Sequence, residues 1–239
     1  YRPAAAPKRQ QVRLIDRRSL SRDMVEWSFQ SDENATCLPR QYALLYPEGA
    51  PGARAYSMAN LPNPEGVWRF IIRRVPGGRG SNALADMVPS DAPLRLDGPY
   101  GHAYLRPTAP REIVCVAGGS GLAPMLSVAR GALNLPNQPK IHFFDGARTA
   151  EDLCAAPFLA DAPPSRLTYT PVLSAPDPAQ PWDGATGFVH TVMSGALDQP
   201  LSQYEFYFAG PPAMIDALQT LLMVDNKMPF EQVHFDRFV

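Results

Sequence analysis

The sequence predicts a two-domain protein, in which an antiparallel β-barrel or sandwich is followed by an α/β doubly wound parallel sheet. Its 239 residues exceed the roughly 100 to 200 residues of a common domain, and 45% of them are hydrophobic, enough to fill two cores. Short runs with strand character fill the first half, whereas buried strands alternate with helical segments in the second. The rhythm changes at the proline-containing stretch 106–110, so we place the domains at residues 1–107 and 108–239.

The first half begins with residues 1–10, which are rich in alanine, proline and arginine and lack a hydrophobic period. This composition is typical of a linker, and we expect a chain cut from a longer protein just after another domain, with a processed start as the alternative. Short strands follow at nearly regular spacing, the pattern of an antiparallel sheet. The predicted strands are Val12–Arg17, Met24–Gln30, Gln41–Tyr46, Arg54–Ala59 and Trp68–Arg74.

The second half alternates apolar strand-like runs with amphipathic segments. Leu122–Leu133 is predicted to be helical, and in Pro211–Asp225 apolar residues recur at helical spacing after two prolines that suit a helix start. Such alternation is typical of a parallel sheet whose ligand loops follow the carboxyl ends of the strands. The predicted strands are Ile113–Ala117, Ile141–Phe144, Leu167–Val172 and Glu205–Ala209.

Charge is distributed unevenly between the halves. Residues 1–107 hold 15 Lys and Arg against 10 Asp and Glu, whereas residues 108–239 hold 7 against 13, so the halves carry +5 and −6. The basic half suits an acidic partner, although arginines that only solvate a surface would give the same count. The sequence shows no nucleic-acid-binding motif, so no nucleic-acid partner is expected.

Neither a membrane segment nor a metal site is expected. The longest uncharged run, residues 113–129, carries three glycines and a proline in its middle, which argues against a membrane-spanning helix. The three cysteines, Cys37, Cys115 and Cys154, are odd in number, far apart and without metal-ligand spacing. They suit a reducing compartment, and we expect the protein to be cytoplasmic.

A glycine-rich corner stands in the second half. Residues 114–126 read Val-Cys-Val-Ala-Gly-Gly-Ser-Gly-Leu-Ala-Pro-Met-Leu, which predicts a strand, a tight turn and the start of a helix. Glycine permits positive φ and a close approach, and the free N–H groups of a helix start attract anions. The corner can therefore hold a pyrophosphate, with glycines that serve only packing as an equal alternative.

Two stretches of the first half carry side chains suited to a nucleotide. Arg54 can pair with a diphosphate, Tyr56 can stack on a flat ring, and Ser57 can donate a hydrogen bond to a ring nitrogen. Strand alternation would separate Arg54 and Tyr56 from Ser57, and an ordinary barrel strand is the alternative. Residues 71–84 predict a strand, a flexible turn and a helix with Ser81 at or near its N-cap, a second anion site.

Five motifs occur in a fixed order along nearly the whole chain. They are R-x-Y-S at Arg54, G-x-x-S-x-x-L at Gly78, G-P-Y-G at Gly98, G-G-S-G-L-A-P at Gly118 and G-P-P-x-M at Gly210. In this order and spacing they closely resemble the ferredoxin–NADP reductase superfamily. Segments 144–149, 171–174 and 187–190 look most like the NADH-using reductases of bacterial aromatic-ring oxygenases. Those reductases also carry a plant-type [2Fe–2S] domain, in many of them before the flavin domain.

The resemblance implies a six-stranded antiparallel β-barrel for FAD at residues 1–107 and an α/β doubly wound NAD domain at residues 108–239. It implies that Arg54 lies on the FAD pyrophosphate, Tyr56 against the isoalloxazine and Ser57 near flavin N5. The other implied FAD contacts are Ala55, Ile71, Ile72, Arg73, Gly78, Gly80, Ser81 and Asn82. The implied nicotinamide-nucleotide contacts are Gly119, Ser120, Gly121, Pro124, Arg148, Gly210, Pro211, Pro212 and Met214.

The end of the chain and one departure from the family pattern bear on catalysis. Phe235–Val239 resembles the family's acidic residue followed by a terminal aromatic, so Asp236 and Phe238 join Ser57 as implied catalytic residues. Phe238 would cover the flavin face that nicotinamide must reach, with structural packing as the alternative. Ala209 stands where the family commonly has cysteine, which predicts slower or differently tuned hydride transfer.

The resemblance implies an FAD-dependent oxidoreductase that takes hydride from NADH and passes single electrons to a [2Fe–2S] ferredoxin domain or protein. The cluster is expected on a partner or on a preceding domain, and it would serve a terminal aromatic-ring oxygenase. Two alternatives stay open. One is a free-standing NAD(P)H reductase of ferredoxin or flavodoxin, and the other is a non-catalytic flavin-binding module.

NADH is expected to be preferred over NADPH. The adenosine ribose is expected near residues 145–151, where Asp145, Glu151 and Asp152 face only Arg148. The dianionic 2′-phosphate of NADPH would be repelled by these carboxylates.

Overall fold

The structure is a computed structural model that describes residues 5–89 and 93–238. The chain divides into two compact units, one ending at Leu105 and the other beginning at Arg106. Residues 1–4 of the predicted linker and the terminal Val239 lie outside the described residues. Within the described part of the chain, no helix combines the length and apolarity needed to cross a membrane.

The first unit is an antiparallel six-stranded sheet that curls into a nearly closed barrel. Its elements are β1 (Lys8–Ser19), β2 (Met24–Gln30), β3 (Tyr42–Tyr46), β4 (Arg54–Ser57), β5 (Val67–Arg73), α1 (Arg79–Ala85) and β6 (Leu94–Tyr100). The strand order is β4-β3-β6-β1-β2-β5, and an isolated antiparallel bridge between Met58 and Phe70 joins the two ends of the sheet. This bridge brings the two edge strands together at one point and leaves part of each edge unpaired among the described residues.

Strand alternation fills the barrel with large apolar side chains. On the paired strands β2 and β5, Trp27 and Phe29 are fully buried together with Trp68 and Phe70. The rings of Phe29 and Phe70 meet edge to face, with centroids 6.1 Å apart. Burial of each such side chain contributes roughly 2 to 3 kcal/mol, so the barrel is a firm support for residues on its rim.

Two predictions for the first unit are wrong in part. Strand β1 begins at Lys8, inside the stretch predicted as a linker, because residues 8–12 pair with β6. Strand β6 itself is absent from the sequence-based strands, since Arg95, Asp97 and a following Gly-Pro hide its apolar alternation. Asp97 is buried in the sheet and pairs with Arg9, whose Nε lies 3.1 Å from Oδ2.

The second unit is a six-stranded parallel sheet with helices in its crossovers. Its strands are β7 (Glu112–Gly118), β8 (Ile141–Ala147), β9 (Leu167–Leu173), β10 (Ala185–Thr186), β11 (Tyr204–Gly210) and β12 (Val233–Arg237). Its helices are α2 (Leu122–Leu133), α3 (Ala156–Leu159), α4 (Val189–Ala196) and α5 (Pro212–Gln219). The order β10-β9-β8-β7-β11-β12 confirms the predicted doubly wound sheet.

The direction of winding reverses at β7. From β7 the chain builds β8, β9 and β10 on one side, and then returns to place β11 and β12 on the other. Helices α4 and α5 pack on the sheet through a core that includes Met193, Ile215 and Leu218. The predicted helix within Pro211–Asp225 is α5, which continues as a π-helical turn, Thr220–Asp225.

Candidate functional site

The first candidate site lies at the seam of the barrel, where β4 and β5 meet. Only the bridge between Met58 and Phe70 joins the strands there, so much of each outer edge lacks a strand partner among the described residues. Continuing the antiparallel register past the bridge brings Tyr56 and Ser57 opposite residues 71–72. Backbone N–H and C=O groups on such an edge are available to a ligand.

Arg54 supplies the positive charge of the seam. Its Nη1 donates to the carbonyl oxygens of Pro51 at 3.0 Å and Ala53 at 2.9 Å, and no carboxylate among the described residues pairs with it. Gly80 in α1 leaves room for it, because a Cβ there would lie 2.7 Å from Arg54 Cγ. The first turn of α1 also contains no acidic residue. An arginine without an acidic partner beside a helix start fits a diphosphate.

Tyr56 presents an aromatic ring at the same seam. It is half-buried and packs against the barrel core, whereas Ala55 is exposed and Ser57 is buried. Burial raises the pKa of Tyr56, and the charge of Arg54 opposes that rise. A ring fixed by packing and still partly exposed is suited to stacking on a flat heterocycle.

The turn between β5 and α1 places Ser81 near the start of the helix. Gly78 occupies the N-cap with extended backbone, and Ser81 is the third residue of the helix. Ser81 Oγ instead accepts from the N–H of Val75 at 3.2 Å and donates to the carbonyl of Gly78 at 3.4 Å. The hydroxyl therefore shapes the turn and leaves the first N–H groups of α1 without a side-chain cap.

The remaining predicted FAD contacts differ in what they can offer. Ile71 and Ile72 are buried, so only their backbone could meet a ligand. Arg73 is exposed and its Nε lies 3.0 Å from Asp23 Oδ2. Asn82 Oδ1 accepts a long hydrogen bond of 3.4 Å from the neighbouring Arg74.

The second candidate site lies at the winding reversal, where β7 ends at Gly118 and β11 ends at Gly210. Ligands of doubly wound sheets bind at this position, outside the carboxyl ends of the strands. Gly119 has φ +54°, and a Cβ on Gly121 would collide with the carbonyl group of Ala209. Packing of the two strand ends therefore requires glycine here, whatever ligand the corner holds.

Met214 covers the floor of this corner. A Cβ on Gly118 would lie 2.7 Å from its Sδ, and a Cβ on Gly210 would meet its methyl group. Pro211 is the N-cap of α5 and Pro212 its first residue, positions where the missing N–H of proline costs nothing. The thioether thus rests directly on the backbone of both strand ends.

Two other predicted residues frame the corner. Ser120 is half-buried in the 3₁₀ turn Gly119–Gly121, which leads directly into α2. Pro124 is buried in the first turn of α2, and its carbonyl accepts from Ser127 Oγ at 2.9 Å. Pro124 therefore shapes the helix start and offers no ring surface to a ligand.

The implied catalytic residues of the chain end lie beside the same corner. In the parallel register, Asp236 on β12 stands opposite Ala209 on β11. The N–H of Phe238 donates to the carbonyl of Gly210 at 3.0 Å, and both Asp236 and Phe238 are half-buried. The backbone of β11 thus fixes where the last described residues lie.

The predicted ribose segment needs one correction. Asp145 is only 5% exposed, because it is still within β8 between its neighbours Ala117 and Pro171. Its carboxylate cannot face a nucleotide, and that part of the charge argument is wrong. Arg148 and Glu151 are exposed, whereas the side chain of Asp152 accepts from Thr149 in a capping box. Glu151 therefore remains as the exposed acidic side chain of this segment, where its Oε1 accepts a long hydrogen bond of 3.5 Å from Gln180 Nε2.

Phe188 is a candidate that the sequence analysis did not assign to the site. It is 70% exposed and stacks on His190, with ring centroids 5.8 Å apart. It directly precedes Val189, which packs against Gly146 at the end of β8. A single exposed aromatic gives no periodic signal in the sequence. The Gly-Phe pair at 187–188 was the only local signal of a turn that presents an aromatic ring, and in the structure Gly187 has φ +119°.

Comparison with known proteins assigns both halves. A profile for an oxidoreductase FAD-binding domain matches residues 11–104, and one for an oxidoreductase NAD-binding domain matches residues 115–220. The ferredoxin–NAD(P)(+) reductase CarAd of Metapseudomonas resinovorans is 38% identical over 240 residues, covering 100% of this chain and 71% of that protein. The ferredoxin–NAD(+) reductase component of the alkene monooxygenase system of Xanthobacter autotrophicus is 36% identical, and the match covers 98% of this chain and 71% of that protein.

The fold agrees with these matches. A solved structure titled as the ferredoxin reductase in carbazole 1,9a-dioxygenase superposes with a TM-score of 0.89 at 34% identity, covering 99% of this chain and 71% of that one. The resemblance seen in the five sequence motifs is therefore confirmed. The chain belongs to the ferredoxin–NAD(P)(+) reductase family and is an oxidoreductase with an FAD-binding barrel and an NAD-binding parallel sheet.

Proposed function

We propose that the protein takes hydride from NADH onto FAD and passes electrons singly to a [2Fe–2S] ferredoxin domain or protein that serves an aromatic-ring oxygenase. One observation carries the proposal: a single chain holds two different features suited to nucleotides, the charged seam at Arg54 and the glycine corner at Gly119–Gly121. The names of the relatives, which are reductase components of dioxygenase and monooxygenase systems, support it. Bound FAD supplies the redox chemistry, accepting hydride and releasing electrons one at a time.

In the barrel, side chains do most of the holding. Arg54 pairs with the diphosphate together with the N–H groups at the start of α1, and Tyr56 packs on the isoalloxazine. Ser57 donates a hydrogen bond near flavin N5. The remaining contacts of this proposal are made largely by backbone at Ala55, Ile71, Ile72, Arg73, Gly78, Gly80, Ser81 and Asn82.

In the parallel sheet, the backbone at the ends of β7 and β11 receives the nicotinamide nucleotide. The turn Gly119–Gly121 and the strand end at Gly210 form the floor of the site, with Met214 beside them. Pro124, Pro211 and Pro212 fix the two helix starts. Arg148 and Phe188 are assigned to the adenosine end, because both are exposed at the carboxyl edge of the sheet.

Catalysis then depends on position more than on acid–base chemistry. Ser57, Asp236 and Phe238 are the proposed catalytic residues, with Phe238 as the aromatic that gates the flavin face. Ala209 is buried and carries no thiol, so the hydride path lacks the sulfur that the family commonly places there. We expect hydride transfer to be slower or differently tuned as a result.

The electron carrier is proposed to be acidic and to dock on the basic first half, where the net charge is +5 by the counts given above. Electrostatic steering is screened over a Debye length of about 8 Å at physiological salt. Electron transfer to the carrier should therefore slow as salt rises, while flavin reduction by NADH stays nearly constant. The terminal oxygenase is reached only through the carrier.

A cytoplasmic location is part of the same proposal. The three cysteines are buried and form no disulfide within the described residues, and burial raises the pKa of Cys37 to about 12, so that thiol is kept protonated. Such thiols suit a reducing compartment.

The proposal is tested with the FAD-loaded chain, NADH and a plant-type [2Fe–2S] ferredoxin as probe. Stopped-flow absorbance should show flavin reduction first and ferredoxin reduction second, and only the second step should depend on salt. Flavin reduction without any reduction of the ferredoxin would contradict the carrier assignment. A flavin that NADH leaves oxidised would contradict the whole proposal.

A further inference from the structure

A buried His–Glu pair on the last two strands has no part in the proposed function. His234 on β12 is 7% exposed and Glu205 on β11 is 2% exposed. The Nε2 atom of His234 lies 2.7 Å from Oε1 of Glu205. An ionised carboxylate only accepts hydrogen bonds, so Nε2 carries the N–H and donates it. Charged side chains are seldom buried this deeply unless they are paired, and this bond gives Glu205 such a partner.

Two further contacts tie this pair to the beginning of the second unit. Glu205 Oε2 accepts from Nη1 of Arg111, the residue before β7, at 3.2 Å. The ring of His234 stacks on that of Tyr207, with centroids 4.6 Å apart. The hydroxyl of Tyr207 in turn accepts from the backbone N–H of Arg106 at 2.9 Å. Side chains therefore connect the first residues of the unit to its last strand.

This connection matters because β12 is an edge strand of the parallel sheet. Among the described residues it pairs with β11 and with no other strand. The ladder runs from Phe206 opposite Val233 to Gly210 opposite Arg237, and it fixes the register of β12. A strand with a ladder on one side opens locally more easily than a central strand does. Side-chain contacts from β12 to its neighbours limit that opening.

Strand alternation places the His–Glu pair beside the proposed catalytic end of the chain. Residues two apart on a strand share a face and lie about 7 Å from each other. Asp236 is therefore on the same face of β12 as His234. On β11, Ala209 stands opposite Asp236 and is on the same face as Tyr207. Phe238 follows two residues later, so a tilt of β12 at His234 would displace both catalytic side chains.

We propose that His234 is a positioning residue for hydride transfer. Through Glu205 and Tyr207 it holds the end of β12, which carries Asp236 and Phe238. The inference rests on the proposed function, in which those two residues act at the flavin face. His234 contacts neither nucleotide and acts only through the strand that it holds.

The test uses a second His–Glu pair of the same sheet as its matched control. His142 Nε2 on β8 lies 2.7 Å from Oε2 of Glu112 on β7, and its ring meets that of Tyr204 edge to face. His234→Phe and His142→Phe each remove the donor and keep an aromatic ring. His234→Gln keeps an N–H donor and removes the ring. All variants are studied as FAD-loaded protein.

Three measurements separate positioning from a general loss of stability. Stopped-flow absorbance gives the limiting rate of flavin reduction and the half-saturating NADH concentration. Amide hydrogen exchange in residues 233–238, measured with and without FAD, reports on the strand itself. Urea unfolding gives the stability of each variant.

The proposal predicts that only the pair on β12 controls the rate. His234→Phe should lower the limiting rate about tenfold or more and leave the half-saturating NADH concentration within about twofold, because a small misplacement slows the reaction of bound nucleotide. Exchange in residues 233–238 should accelerate in the same variant. His234→Gln should stay within about threefold of the parent rate, since the bond to Glu205 is kept. His142→Phe should lower the urea midpoint but change neither the rate nor the exchange of residues 233–238.

Several outcomes would overturn the inference. A parent-like rate and exchange in His234→Phe would remove it, and so would an equal loss of rate in His142→Phe or a change in the half-saturating NADH concentration alone. If His234→Phe does not fold, Arg111→Ala decides, because it loosens Glu205 and leaves the histidine in place. That variant should slow flavin reduction a few-fold and accelerate exchange in residues 233–238, and parent-like values would reject the inference. A parent that NADH does not reduce would instead reject the proposed function.

Discussion

The two nucleotide sites of this chain are built from different parts of the polypeptide. At the barrel seam, we propose that Arg54 and Tyr56 carry the recognition as side chains on a short edge strand. At the winding reversal of the parallel sheet, the proposal assigns recognition to the backbone of Gly119 and Gly121, and packing leaves no space for a Cβ at Gly121. Truncating a side chain should therefore damage the barrel site, whereas adding a Cβ to a glycine should damage the corner site.

The difference follows from the geometry of the sheets. Antiparallel strands expose alternate side chains along a rim, so a charged and an aromatic residue can share one face two positions apart. Parallel strands end at one edge, where the chain turns into helices and N–H groups are free. Side-chain truncations at the seam and glycine-to-alanine substitutions at the corner should therefore affect the two sites separately.

The largest effect is expected from Gly121→Ala, whose new Cβ would overlap the carbonyl of Ala209. It should lower the free energy of unfolding of the second unit by more than about 4 kcal/mol, since backbone on both sides must move. Urea unfolding followed by circular dichroism measures this. Gly195→Ala is the control, because a Cβ there meets nothing within 4 Å in the exposed part of α4. That variant should be neutral or gain about 0.5 to 1 kcal/mol, and equal losses in both would contradict the packing account.

The second effect is a pH dependence confined to the parallel-sheet unit. Burial raises the pKa of Asp145 from 3.8 to about 6, so folding favours the protonated form. Its contribution to stability is fully present below about pH 4 and is lost as pH rises through about 6. A shift of about two units corresponds to a loss of up to about 3 kcal/mol.

Asp145→Asn should not show this loss, because an amide does not titrate in that range. The gap in unfolding free energy between variant and parent should widen in favour of the variant between pH 4 and pH 7. The hydroxyl that bonds to this carboxylate belongs to Tyr169, whose pKa is raised further by burial, so it does not ionise in that range. A gap that is constant with pH would show that Asp145 is not desolvated.

The sequence predicted the fold well where patterns repeat. Leu122–Leu133 is a helix with the predicted bounds, because its apolar residues are buried on nearly every side. Strand β6 was not predicted because Asp97 interrupts the alternation of apolar and polar residues. Asp97 can be buried there because it pairs with Arg9. Short edge strands such as Ala185–Thr186 carry too few residues for any period.

The candidate sites were predictable in their motifs and less so in their geometry. The motif at Arg54 is found at the seam, but no local pattern could reveal that Gly80 makes room for that arginine. The sequence analysis placed Asp145 at the surface, because its burial and its hydrogen bond from Tyr169 depend on strands that are distant in sequence. Contacts across the fold decide such cases.

The third effect is a loss of FAD affinity when side chains at the barrel seam are truncated. Arg54→Ala and Tyr56→Ala should each weaken FAD binding by roughly 1 to 3 kcal/mol, since one loses a charge-assisted pair and the other a stacked ring. Equilibrium dialysis of FAD against the apoprotein measures the dissociation constants. Arg69→Ala removes an exposed arginine from β5 and should leave them unchanged. Parent-like affinity in both site variants would remove Arg54 and Tyr56 from the seam.

The smallest effect concerns nucleotide choice at the corner site. With Asp145 buried, Glu151 is the exposed carboxylate expected to repel the 2′-phosphate, so kcat/KM should favour NADH over NADPH by about tenfold. Glu151→Gln should reduce that ratio a few-fold, whereas Glu231→Gln, a distant exposed carboxylate, should not. A parent enzyme that uses both nucleotides equally would show that residues 148–153 do not meet the ribose.

The central claim is that one chain joins a side-chain site for FAD to a backbone site for NADH, and anaerobic titration of the FAD-loaded protein tests it most directly. One equivalent of NADH should bleach the visible absorbance of the flavin in the parent and in Gly195→Ala. Gly121→Ala should still retain FAD, yet NADH should leave its flavin oxidised. Bleaching of Gly121→Ala at the parent's rate, or a parent that NADH does not bleach, would contradict the account.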